Sequence, residues 1–151
     1  MLVLAYSNRQ FLKNVLPCLR EEGMEIKDFR LRRYYNLLKA LSKRQKEINP
    51  TDTKFLRENT VAVLNILEKI AVIFHKEDHK EAEEILLALW SYDNDAIKLF
   101  ILLNLLDAVS KGKSLSPKTV IKLEQIENHP IYSSLFVEAV WELRRLKAPW
   151  N

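Results

Sequence analysis

Apolar residues recur at spacings of three and four along most of the chain, and the pattern breaks where glycine, proline or asparagine occurs, so it reads as a succession of helices. Residues 26–48 form the most informative of these. Positions three or four apart on a helix lie one above another, which puts Tyr34, Leu38, Leu41 and Ile48 in a row able to face a core. Arg32, Asn36, Lys39, Lys43 and Lys46 fill a second, polar row. Asn49 and Pro50 end the helix, because proline pushes the residue before it out of helical geometry.

The same pattern predicts a helix over 53–75, capped by Thr51 or Asp52. Its apolar positions Phe55, Leu56, Ala62, Val63, Ile66, Leu67, Ile70 and Phe74 cover a face wide enough to pack on more than one side. Asp78 is placed to open a helix over 79–90, with Glu81, Glu83 and Glu84 near the positive end of its dipole. Asp93 is placed to cap 94–110, a greasy stretch interrupted by Lys98, Asn104 and Asp107. Too short for a bilayer, that stretch reads as the central buried helix of a bundle. Ser116 and Pro117 suit the cap and first position of a helix over 117–127, which Asn128, His129 and Pro130 terminate. A last helix over 131–147 carries Leu135, Phe136, Ala139, Val140 and Leu143 inward.

Ahead of all these, Ser7 and Gln10 have the spacing of a capping box, so a helix is expected over 7–22, kinked by Pro17 and stopped by Gly23. Residues 148–151, with Trp150, read as a short tail. The opening apolar residues lack the basic stretch of a signal peptide and are cut short by polar Ser7, so no membrane anchor is expected. The expected fold is all-α, a single-domain helical bundle of about six or seven helices spanning 1–151.

Two glycines and five prolines in 151 residues agree with helices throughout. The one cysteine, Cys18, cannot form an internal disulfide, which suits a cytoplasmic protein. The net charge of +4 is unevenly placed. Through residue 49 there are eleven Lys/Arg against five Asp/Glu; over 50–110, six against eleven; and from 111 onward, seven against four. An acidic middle between basic ends points to a polyanion contact at the ends.

Catalytic chemistry finds little support in the sequence. His75 and His79 stand four apart but lack the order of a zinc-binding helix and any evident third ligand. No nucleophile, base and orienting acid can be assembled, so no enzyme activity, metal or cofactor is expected. The candidate nucleic-acid-binding residues are Arg30, Arg32, Arg33, Tyr35, Asn36, Lys39, Lys43, Arg44 and Lys46 on the basic helix. Lys111 and Lys113 join them from the loop around Gly112, near Lys118, and Arg144 and Arg145 from the last helix, where they also offset the helix dipole. Tyr34 and Tyr35 could stack on bases, although at least one of the pair is expected in the core.

Leu31-Arg32-Arg33-Tyr34-Tyr35-Asn36 resembles a signature near the start of the small subunit of type III CRISPR effector complexes, the Csm-type small subunit. Phe136-Val137-Glu138-Ala139-Val140 is similar to that family's C-terminal helix motif. The resemblance implies a non-catalytic helical protein that stacks in several copies along guide RNA and target RNA. It also implies other effector subunits as partners and basic side chains that touch the RNA backbone. Two other readings stay open: an accessory subunit of an archaeal-type DNA replication or primase complex, and a protein-interaction adaptor whose charges set docking polarity.

Overall fold

A computed structural model describes residues 24–147. The expected helix over 7–22, Cys18 and the tail with Trp150 lie outside the described residues. Those described form an all-α domain of six helices, with no strand among them. None of the described helices is long and apolar enough to cross a membrane.

Helix α1, Phe29–Glu47, starts three residues later than the pattern suggests. Residues 24–27 have no regular secondary structure, and Asp28 caps the helix by accepting from the Arg30 and Leu31 backbone N–H groups. Its buried face is Leu31, Tyr35, Leu38 and Ser42. Tyr34, Leu41 and Ile48, expected to point inward, are half-buried at the flank. Spacings of three and four allow either of two neighbouring rows, and packing against other helices chooses between them.

Helix α2, Thr53–Glu77, is 25 residues long and spans about 37 Å. Asp52 caps it through the Phe55 N–H. Phe55 itself is exposed, so the apolar face narrows in the first turn. The side-chain amide of Asn59 ties α2 to α1 by donating to the Leu41 carbonyl and to Gln45 Oε1. Asp78 terminates α2 in the left-handed conformation, φ 51°, rather than opening the next helix. That helix, α3 (Lys80–Ala88), begins after His79, which offers no side-chain cap, and runs into a 3₁₀ turn, Leu89–Ser91.

Asn94, not Asp93, caps α4 (Asp95–Ser110), accepting from the Ile97 N–H while its amide donates to Thr60 on α2. Pro117 opens α5 (Pro117–Glu127) at the first position, as expected, and α6 (Ser133–Lys147) completes the described chain. Central α2 packs on α1, α3 and α4, while α4 packs in turn on α6, and α6 on α5. Leu67, Ile70, Phe74, Ile85, Leu86, Ile97, Ile101 and Leu102 make the core where these helices meet. Each fully buried aliphatic side chain of this kind contributes about 1.5–3 kcal/mol of transfer free energy.

Helix α4 hides a cation. Lys98 is buried, donates to the Trp90 carbonyl, and sits 4.6 Å from the Trp90 ring centroid and 5.3 Å from that of Tyr132. Burial pulls its pKa down to about 8, against the pull of Asp93.

Candidate nucleic-acid interface

Because α1 gives its Leu31–Tyr35–Leu38 side to the core, the opposite side is left to solvent. Arg32, Arg33, Asn36, Lys43, Arg44 and Lys46 are all exposed there. Lys39 is half-buried, its ammonium 5.3 Å from the Tyr35 ring centroid. Among the described residues no carboxylate pairs with Arg32, Arg33, Lys39, Lys43, Arg44 or Lys46. Arg32 is held in place by donating to the backbone carbonyls of Ile26, at 2.9 Å, and Lys27, at 3.4 Å.

Of the three carboxylates of α3, Glu81 and Glu83 are engaged away from this row. Glu81 accepts from the Lys27 and Asp28 N–H groups at 2.6 and 3.0 Å, fastening the segment that leads into α1. Glu83 is buried and turns toward the start of α5, where it accepts from the Ser116 N–H and hydroxyl and from the Thr119 hydroxyl. Ser116 therefore spends its hydroxyl on Glu83 instead of capping its own helix. Burial alone would raise the Glu83 pKa, but these hydrogen bonds and nearby Lys80 hold it below the usual carboxylate value.

Four of the sequence candidates change role once placed. Tyr35 is 1% exposed and belongs to the core, which removes it as a contact residue, while Tyr34 is half-buried near Lys69. Arg30 is paired within the chain, its guanidinium 2.9 Å from Asp28 and 2.7 Å from Glu77. Those hydrogen bonds, from Glu77 first and Asp28 next, raise the Arg30 pKa, and Arg30 in turn holds Asp28 well below the carboxylate range. Lys113 points inward, donating to the Phe74 and His75 carbonyls at the end of α2 and lying 3.5 Å from Asp78. A cation there satisfies free carbonyls and the negative helix end, so the loop does not present two converging lysines. Arg145 pairs with Glu142 at 2.7 Å on its own helix.

Lys111 is exposed but lies 2.9 Å from Asp107, and Arg144 is exposed without a carboxylate partner among the described residues. Since α6 packs mainly on α4 and α5, and α1 mainly on α2, the two basic regions sit on different parts of the bundle. The histidines are likewise apart in use: His75 Nε2 is 2.9 Å from Asn104 Oδ1, and His79 Nε2 is 3.0 Å from Asp28 Oδ2. Among the described residues no three His, Cys, Asp or Glu gather as metal ligands would.

The hydrophobic pattern does not single out Phe29 or Leu37, yet both stand in solvent, at 77% and 46% exposure. With Arg32, Arg33 and Asn36 they line an open groove of about 400 Å³ on the basic side of α1. Their signal in the sequence is their azimuth: positions 29, 33 and 37 share a row that the buried positions 31, 35, 38 and 42 do not. Compared with known proteins, the chain matches no family model, no curated protein and no solved structure.

Proposed function

We propose that the protein is a non-catalytic nucleic-acid-binding subunit that lays the exposed side of α1 along an RNA backbone. The observation that carries this reading is the run of cations from Arg32 to Lys46, exposed or half-exposed and unmatched by carboxylates among the described residues. Isolated surface lysines and arginines are common, but a row of them along one helix that no carboxylate pairs among the described residues favours a polyanion. Backbone contacts of this kind position a protein on a strand without reading its sequence.

The likeness of 31–36 and 136–140 to the small subunit of type III CRISPR effectors supports the more specific form of the reading. In that form several copies stack along a guide–target duplex, beside subunits that perform cleavage. Val137 and Trp141, one turn apart and exposed on α6, give such stacking an apolar surface for a second copy.

The test is a filter-binding titration against RNA and DNA at two salt concentrations, with the double variant Arg33→Glu, Lys43→Glu. Each lost phosphate contact flattens the slope of log affinity against log salt by about 0.7–0.9. The variant is expected to bind RNA weakly and with a flatter slope while its helical content is unchanged. Equal binding by variant and wild type would remove the reading.

A further inference from the structure

We infer that the groove at the start of α1 holds an unpaired base stacked on Phe29, so that the ligand it prefers is single-stranded nucleic acid. This rests on the backbone-binding reading above in its general form, not on the guide–target duplex, and adds to it the strandedness of the ligand.

A phenylalanine at 77% exposure leaves its ring in water, where it gains nothing from the fold. Its surroundings are specific. One turn along the helix stand Arg32 and Arg33, and a further turn brings Asn36 and Leu37, all lining the same groove. Asp28, the carboxylate adjacent in sequence, is turned away to Arg30 and His79. The groove therefore combines an aromatic face, an amide able both to donate and accept, and cations not paired with carboxylates.

Those features separate the possible occupants. A partner helix needs apolar anchors at successive turns, whereas Phe29 and Leu37 lie about 12 Å apart along the axis with Arg33 between them. A base needs one aromatic face, and the adjoining phosphate needs cations beside it, which Phe29 with Arg32 and Arg33 one turn along supplies. A base paired inside a duplex cannot reach Phe29, since its faces are already stacked. Duplex binding would engage only the cationic row.

The experiment measures anisotropy of labelled oligonucleotides of about twelve nucleotides, as single-stranded RNA, single-stranded DNA and blunt duplex, with the full chain. Phe29→Ala is expected to weaken single-strand binding on the order of tenfold while leaving duplex binding within about twofold. Phe29→Trp should keep or improve single-strand binding. Comparable loss for RNA and DNA single strands identifies stacking; loss for RNA alone adds a contact to the 2′-hydroxyl, and both outcomes support the site. Unchanged single-strand affinity in Phe29→Ala, or equal loss on duplex, overturns the inference. The backbone reading stands in either case provided Arg33→Glu still weakens every ligand. If instead Phe29→Ala abolishes binding to a protein partner and leaves oligonucleotide binding intact, the groove is a protein-docking site and the inference is wrong.

Discussion

Glu83, on α3, accepts hydrogen bonds from both the backbone N–H and the hydroxyl of Ser116, the residue just before α5. One buried carboxylate thereby does for a distant helix what a local cap ordinarily does. The negative charge also faces the positive end of that helix.

Glu83→Gln is expected to destabilise the protein by about 2–4 kcal/mol at neutral pH, since it weakens charge-assisted hydrogen bonds in a site closed to water. The pH dependence has a definite sign. The folded-state pKa is lowered, so the Glu83 contribution is complete above its unfolded value of about 4.3 and fades as pH falls through the lower folded value. Denaturant titrations of both proteins from pH 7 down to pH 3 should converge toward the acid end. Parallel curves would mean that Glu83 carries no such linkage.

Lys98 gives a pH dependence of the same sign in the alkaline range. Its folded pKa of about 8 lies below the unfolded value, so between pH 8 and about 10.4 the unfolded chain binds more protons and stability rises with pH. The rise is on the order of 3 kcal/mol, and Lys122, also lowered by burial, adds in the same direction. Lys98→Met should gain about 1–2 kcal/mol at neutral pH, the relief of burial being offset in part by the Trp90 carbonyl it leaves unbonded. It should also flatten the alkaline rise. Urea melts at pH 7 and pH 10 measure both; a variant less stable than wild type at pH 7 would contradict this account.

Lys43 and Lys113 make a contrasting pair. Lys43 is exposed on the basic row, whereas Lys113 closes the end of α2. Lys43→Ala should leave thermal stability within about 0.5 kcal/mol and weaken RNA binding. Lys113→Ala should cost about 1–2 kcal/mol of stability and leave RNA binding of the folded protein unchanged. Parallel melting and binding curves for the two variants decide it, and the reverse pattern would return the Gly112 loop to the interface.

Much of the secondary structure is readable from spacing, because helical periodicity and proline punctuation are local. Pro117 opens α5 and Asn49-Pro50 follows the end of α1, as the chain order requires. Caps were less legible: Asp78, Asp93 and Ser116 all have the right chemistry, yet Asp78 ends a helix, Asn94 caps in place of Asp93, and Ser116 turns to Glu83. The interface divided in the same way. Arg33, Lys43 and Lys46 stand in solvent as expected, but Arg30, Tyr35 and Lys113 are used within the molecule.

By itself the sequence determined that the chain is helical, where most helices lie, and that the second predicted helix has a cationic side, since each depends only on neighbours within a few positions. Tertiary structure decided which of two adjacent rows on α1 enters the core, which cations have no carboxylate partner among the described residues, and that Phe29 is left outside. Those outcomes depend on partners such as Arg30 and Glu77, or Lys113 and Phe74, brought together from far apart in the chain, and no local pattern encodes which distant group each will meet.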